Sequence, residues 1–171
     1  TALQISNLST SNLNALNTAH FQSLTSVQMS SLKTEQIANL ETTDLVTLNT
    51  SQLQSIAPSS ISALRADEIV ALTTAQVAAL RIAQLTSLSS LQIPSFETAD
   101  LQALKTTQII ALQRLHLNAL STLQMINLLT TQLSALTESQ ISSLSSVNLN
   151  SLTIAQFQAL TTFQVSKLTT L

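Results

Sequence analysis

Residues 72–80 read LTTAQVAAL and residues 32–40 read LKTEQIANL, so nearly the same phrase occurs twice in the same register. Both stretches carry Thr-x-Gln, then an aliphatic residue, then a leucine three residues later. The phrase returns every eight residues through the whole chain. This octapeptide period decides the fold, and internal repeats are therefore considered before any other feature.

Two apolar positions define the octad, in which Thr1 is position 1. Position 5, counted from Ile5, is large and apolar in all 21 repeats, and position 8, counted from Leu8, is leucine except at Ile56 and Phe96. Position 4 is glutamine in 13 of 21 repeats and polar in the others. The register never slips. The sequence therefore predicts a single uninterrupted array of 21 octapeptide repeats over residues 1–171, expected to be a segment of a longer array.

An eight-residue period excludes any single extended element. Eight residues rotate a helix through about 800°, so an apolar stripe would circle the helix instead of forming one face. The period also differs from the seven or eleven residues of coiled coils. In a strand, anchors three and five residues apart would point to opposite faces. The chain must therefore change direction once per octad.

The local residues predict a helix start in each octad. A Ser or Thr three residues before Gln forms a capping box, as at Thr73 and Gln76. Where position 1 has no hydroxyl, as at Lys33, Thr34 in position 2 is the expected cap. The same Ser/Thr-x-x-Gln spacing occurs at Thr25–Gln28, Ser89–Gln92, Ser121–Gln124, Thr137–Gln140, Thr153–Gln156 and Thr161–Gln164. The sequence thus predicts an all-α solenoid of very short capped helices, one per repeat, with positions 5 and 8 on the inner face.

The alternative fold is a β-solenoid, because Thr, Ile and Val suit strands. The absence of Gly and the abundance of Ala, Leu and Gln favour helices. Pro58 is expected near a helix start, where its missing N–H costs little. Pro94 falls in the middle of an octad and is expected to break or shorten that helix.

The number of octads in one coil of the solenoid is open between two and three. Position 5 alternates between Leu and Val, Ile or Met from Val77 to Ile141, which favours two octads per coil. Position 3 of every third octad, starting at Ser11, is never bulky, which favours three octads per coil. We favour two, giving a two-layer ribbon of helices.

Composition excludes several functional classes. Apolar residues make up 44% of the chain, charged residues 8%, and the net charge is −2. The six cations are scattered, so nucleic acid is not an expected partner. No apolar run reaches the length of a membrane span, and membrane insertion is not expected. A surface rich in hydroxyl and amide groups favours an extracellular location.

The few candidate site residues have simpler roles as caps or core residues. His20 and His116 both occupy position 4, where imidazole is expected to replace the amide of Gln. Asp44, Glu68 and Asp100 share this position, where a carboxylate is favourable near a helix N-terminus, and Asp67 lies in the same first turn as Glu68. We therefore predict no catalytic, cofactor-binding or metal site, and no enzyme. The phenylalanines are expected to fill the core: Phe21, Phe96, Phe157 and Phe163.

The pattern resembles the Thr-x-Gln-Ile/Leu-x-x-Leu octapeptide arrays of large bacterial secreted or cell-surface proteins, which are grouped with adhesins. The stretches LTTAQVAAL, LTESQISSL and LKTTQIIAL carry the resemblance. It implies an extracellular stalk or fibre segment on a bacterial surface. Neither end has the polar capping repeat that solenoids normally need. We therefore expect end-to-end self-association or covalent continuation into further repeats.

A binding function is the alternative. A regular ladder of Thr and Gln could recognise a repetitive surface such as polysaccharide or ice, with glycan as a possible contact. The ladder would use the threonines that share position 2: Thr10, Thr18, Thr34, Thr42, Thr50, Thr98, Thr106, Thr122 and Thr130.

Overall fold

The structure, a computed structural model, describes residues 1–168. It divides into two compact units, Thr1–Leu88 and Ser89–Leu171. Helix makes up 66% and the described residues contain no strand, which confirms the all-α prediction and excludes the β-solenoid. The prediction of one uninterrupted array concerns the repeat register and stays a prediction.

Each octad of the first unit forms one short helix. The bounds are α1 (Ala2–Ser6), α2 (Thr10–Asn14), α3 (Thr18–Ser23), α4 (Ser26–Ser30), α5 (Thr34–Ile37), α6 (Thr42–Leu45), α7 (Thr50–Ser55), α8 (Pro58–Ile61), α9 (Ala66–Ala71), α10 (Thr74–Ala79) and α11 (Ile82–Ser87).

The second unit follows the same rule with one exception. Octad 12 forms only a 3₁₀ turn, Ile93–Ser95, because Pro94 lies in its middle, as predicted. The α-helices are α12 (Thr98–Ala103), α13 (Thr106–Ala111), α14 (Arg114–Ala119), α15 (Thr122–Asn127), α16 (Thr130–Ala135), α17 (Glu138–Ser142), α18 (Ser146–Ser151), α19 (Ile154–Gln158) and α20 (Thr162–Ser166).

Position 1 is the N-cap of every described α-helix. Where it is Ser or Thr its hydroxyl accepts a backbone N–H, as Thr73 does from Gln76 at 3.2 Å. The expectation that Thr34 caps its helix is wrong, because Lys33 is the N-cap and Thr34 the first helical residue. Lys33 N–H donates to Gln36 Oε1 at 2.8 Å. This hydrogen bond of the capping box uses only the backbone N–H of the N-cap residue. A residue without a side-chain hydroxyl can therefore also be the N-cap at position 1.

The chain turns between octads without glycine. Leu80 ends α10 with φ −54° and ψ 133°, and Arg81 begins the next octad with φ −68° and ψ 151°. Two successive extended residues therefore redirect the backbone. No residue in the described part of the chain has a positive φ, so the left-handed conformation that favours glycine is never needed there.

Three octads, and not two, make one coil. Helices three octads apart pack against each other throughout each unit, for example α1 on α4 and α7 on α10 in the first and α13 on α16 in the second. The preference for two octads per coil was wrong, and the weaker signal at position 3 was correct. Each junction turns the chain by about a third of a circle, so each helix lies above the helix three octads earlier.

The core of each unit is a column of anchor residues. Position 5 is almost fully buried from Leu13 to Ile141, and position 8 from Leu32 to Leu144 is nearly as well covered. The alternation of Leu with Val, Ile or Met at position 5 therefore varies the shape of the core and does not mark the coil length. Pro58 is the first residue of α8, as predicted.

Candidate functional site

The most regular polar feature is a glutamine ladder at position 4. In Gln76, Oε1 accepts the N–H of Thr73 at 2.9 Å, which closes the capping box of its own helix. The Nε2 of the same amide donates to the carbonyls of Leu45 and Leu48, both at 2.9 Å. These carbonyls lie at positions 5 and 8 of the octad four repeats earlier. One side chain therefore caps a helix and ties it to the preceding coil.

The ladder recurs in both units. Gln52 donates to the carbonyls of Phe21 and Leu24 at 2.8 and 2.7 Å in the first unit. Gln132 donates to those of Leu101 and Leu104, both at 2.8 Å, in the second. A primary amide combines an oxygen that accepts with a nitrogen that donates two hydrogen bonds. This combination explains why Gln dominates position 4. Gln52, Gln76 and Gln132 are buried, so these members of the predicted Thr/Gln ladder are not exposed to a ligand.

A second polar contact, which the sequence analysis missed, joins position 6 to the coil above it. The amides of Asn14, Gln54, Gln102 and Asn118 each donate to a position-7 carbonyl three octads further along the chain, at 2.6–2.9 Å. An amide at position 6 is the only sequence signal for this contact. Since Gln22 carries the same signal without this contact, the pattern alone could not predict it.

Both histidines replace the glutamine as helix-capping acceptors, as predicted. His20 Nδ1 accepts the N–H of Asn17 and His116 Nδ1 accepts that of Gln113, each at 3.2 Å. His20 is exposed and His116 is buried. No group of three or more His, Cys, Asp or Glu residues that could hold a metal ion occurs in the part of the chain that the structure describes.

Two of the three acids at position 4, Glu68 and Asp100, act in helix starts, and burial disfavours the ionised form of Glu68 and Asp44. Glu68 Oε2 accepts the N–H of Arg65 at 2.6 Å, and Asp100 Oδ2 accepts that of Glu97 at 3.1 Å. Burial raises the pKa of Glu68 above its ordinary value. Burial, with a smaller contribution from the Glu41 carboxylate, raises the pKa of Asp44. The remaining predicted acid, Asp67, is exposed and pairs with Arg65 at 3.3 Å.

Two phenylalanines do not fill the core. Phe21 and Phe96 are buried as predicted, but Phe157 is 48% exposed and Phe163 72% exposed. Phe157 occupies position 5 of octad 20, where no further coil packs on it. Phe163 occupies position 3, which faces outward. The prediction that all four fill the core is therefore wrong for these two.

The most exposed large apolar side chain of the described residues lies within the irregular octad 12. Leu91 is 87% exposed and forms, with Pro94 and Leu115, the apolar wall of a shallow groove of about 410 Å³. Ser90, Asn118 and Ala119 complete its lining. The lining of the groove contains no charged side chain.

No described helix combines the length and the apolar character required to span a bilayer. The acids and cations of the described residues form two close ion pairs, and both involve Arg65.

Part of the chain is similar to a known repeat. Residues 5–42 and 37–74 each match the profile of the ALTTAQ repeat, and the six letters of that description occur at residues 71–76. The matches cover less than half of the chain. No curated protein and no solved structure shows a significant match. The comparisons and the geometry together establish a threonine-rich repeat array folded as a solenoid of short helices.

Proposed function

We propose that the array is a structural segment of an extracellular filament, fibre or stalk on a bacterial surface, without catalytic activity. Its regular polar groups are used inside the molecule, since the position-4 amides cap helices and join coils. Its low charge content, 8% of residues, favours an extracellular setting. The resemblance to octapeptide arrays of secreted and cell-surface proteins supports the same role.

The observation that carries the proposal is the incomplete contact at both ends of the array. In the first coil, Gln4 and His20 are exposed, whereas the same position is buried in the interior. In the last coil, Phe157 and Val165 at position 5 are 48% and 36% exposed, whereas Leu133 at the same position is fully buried. One end therefore presents polar side chains, and the other presents apolar anchors.

These two surfaces are complementary in the register that the interior uses. A coil placed on the last one would bury Phe157 and Val165, and its position-4 donors would face the carbonyls of octads 18–20. The added coil belongs either to the same chain or to another molecule, and in both cases it makes the same apolar contacts and hydrogen bonds. Where the rotation between copies does not close a ring, such head-to-tail contacts generate open filaments, because each addition recreates the same free end.

Sedimentation velocity and negative-stain electron microscopy over a range of concentrations test this proposal. We expect uniform filaments whose abundance rises with concentration. Phe157→Lys should reduce assembly because it places a charge in the end contact. Val27→Lys is the matched control, since Val27 is an exposed apolar residue at position 3 of an interior octad. A chain that stays monomeric at every concentration refutes end-to-end assembly, and equal loss in both variants refutes the proposed contact.

One observation favours a second candidate, the recognition of a repetitive surface. Thr50 and Thr74 are exposed first residues of two helices that pack on each other, and their hydroxyls are not used as helix caps. In the second unit the half-buried Thr98 and the exposed Thr122 are likewise the first residues of two helices that pack on each other. Hydroxyls repeated at the spacing of packed helices, roughly 8–10 Å, would meet a polysaccharide or ice surface at regular intervals.

Glycan-array binding and thermal hysteresis test this second candidate. The double variant Thr50→Lys with Thr74→Lys should abolish either activity, because a long charged side chain would cover the hydroxyl column. Thr18→Lys is the control, since Thr18 is exposed at the same octad position on a different side of the coil. Activity that survives in the double variant excludes this column as the binding surface.

A further inference from the structure

Glu68 occupies a position that the array otherwise gives mostly to glutamine. Its side chain is fully buried at the third residue of α9. Oε2 accepts the N–H of Arg65 at 2.6 Å and thus reproduces the capping half of the glutamine contact. The other half of that contact requires a donor, which an ionised carboxylate does not have.

The second oxygen of Glu68 shows this mismatch directly. Oε1 is buried and has no hydrogen-bond partner. In Gln76 and Gln84 the corresponding atom is Nε2, which donates to two carbonyls of the octad four repeats earlier. By the register of Gln76 and Gln84, the carbonyls that correspond to Glu68 are those of Ile37 and Leu40. An ionised Glu68 therefore places three oxygen acceptors together without a proton.

The nearby charges do not remove the mismatch. Arg65 Nη2 lies 3.3 Å from Glu68 Oε1, but the Arg65 side chain is 53% exposed and also contacts Asp67 at 3.3 Å, so its charge is screened and shared. On α6, which packs against α9, Glu41 and Asp44 are both acidic. In the octad that supplies the two carbonyls, the exposed Lys33 and Glu35 have opposite charges.

We propose that Glu68 takes up a proton from solvent in the folded array and, as a neutral acid, donates Oε1–H to the carbonyl of Ile37 or Leu40. The neutral acid then reproduces both halves of the glutamine contact. Ionisation removes the donor and weakens the tie between octads 9 and 5. The first unit thus contains one contact between coils that becomes stronger at acidic pH. This proposal follows from the fold alone and does not depend on the proposed function.

The direction of the pH effect follows from linkage. Burial raises the pKa of Glu68 in the folded state, more than the N–H and charge of Arg65 lower it. The unfolded chain has an ordinary glutamate pKa of about 4.3. Between these two values the folded state binds more protons than the unfolded state, so stability falls as pH rises. The full benefit is present below the unfolded pKa, and it is lost above the folded pKa.

Urea unfolding of the wild-type chain and Glu68→Gln from about pH 3.5 to 8 tests the proposal. The two proteins should be equally stable at the acidic end. At pH 8, Glu68→Gln should have a folding equilibrium constant at least about tenfold larger, since its amide supplies the missing donor at every pH. Asp44 is present in both proteins, so its titration cancels in the comparison. Glu35→Gln, an exposed change in the same unit, should show no such pH-dependent difference.

A titration of the Glu68 side-chain carboxyl carbon by NMR gives an independent measurement. Its midpoint should lie above the ordinary glutamate value, and Arg65→Met should raise it further. A midpoint at or below the ordinary value overturns the proposal. A stability difference between wild type and Glu68→Gln that is constant with pH, or one that favours the wild type at pH 8, also overturns it.

Discussion

Replacing one interior glutamine of the ladder measures how strongly the coils are joined. Gln76→Ala in α10 removes an acceptor for the N–H of Thr73 and the donor to the carbonyls of Leu45 and Leu48. All three hydrogen bonds measure 2.9 Å, and Gln76 is buried. Alanine retains the helix and has the highest helix propensity. The change therefore isolates the amide.

The expected magnitude follows from these partners. Three hydrogen bonds at about 1 kcal/mol each contribute about 3 kcal/mol to the free energy of unfolding. The N–H of Thr73 can be solvated because Thr73 is exposed, and the carbonyl of Leu45 keeps the N–H of Leu48 at 3.3 Å. The carbonyl of Leu48 loses its donor inside the core, which adds about 1–2 kcal/mol. The total is about 4–5 kcal/mol, a decrease of about 10³-fold in the folding equilibrium constant.

Urea denaturation followed by far-UV circular dichroism measures this loss, and hydrogen exchange of α7 and α10 locates it. Gln22→Ala is the matched control, because Gln22 is an exposed glutamine of the same unit. The control should change the free energy of unfolding by less than about 0.5 kcal/mol. If Gln76→Ala loses no more stability than Gln22→Ala, the amide does not join the coils and the interpretation of the ladder is wrong.

Three further predictions concern the caps, the core and an acid. Thr73→Ala should lower the free energy of unfolding by about 1 kcal/mol, because it removes the N-cap acceptor. Thr74→Ala changes the first helical residue and should lower it by less than about 0.5 kcal/mol. Thermal melts of the two variants compare these losses. Leu85→Ala should cost about 2–5 kcal/mol in urea unfolding, since Leu85 is fully buried and the site would become a cavity. Asp44→Asn should raise stability at pH 8 and have no effect at pH 3, measured by urea unfolding at each pH. Burial and Glu41 raise the pKa of Asp44, so its unfavourable ionised form is populated only as pH rises.

Much of the local structure was predictable because it depends on neighbouring residues. The helix start, the capping role of position 4 and the inward orientation of positions 5 and 8 all arise within one octad. Pro94 shortens its helix for an equally local reason. The Thr34 error is also instructive. A hydroxyl residue is the expected cap from sequence, but the Gln36 side chain binds the backbone N–H of Lys33, a group that every residue except proline possesses.

The exposed residues were less predictable. Phe157 matches the buried anchors in sequence, yet nearly half of it is exposed because burial at position 5 requires a neighbouring coil. The missing hydrogen bond of Glu68 Oε1 also depends on a neighbouring coil. Carboxylate and amide serve equally well for the N–H within the octad, and the difference appears only where the side chain meets carbonyls of the octad four repeats earlier.

The octapeptide period, the helical class and the identity of the core residues are properties of the sequence, because helix capping and apolar spacing act within a single octad. The size of the coil is a tertiary property. It depends on the angle at which two extended residues, such as Leu80 and Arg81, join successive helices, and the residues of a single octad do not show which neighbours that angle brings together. Three octads per coil, the second bond of each glutamine and the exposed edges all follow from that angle.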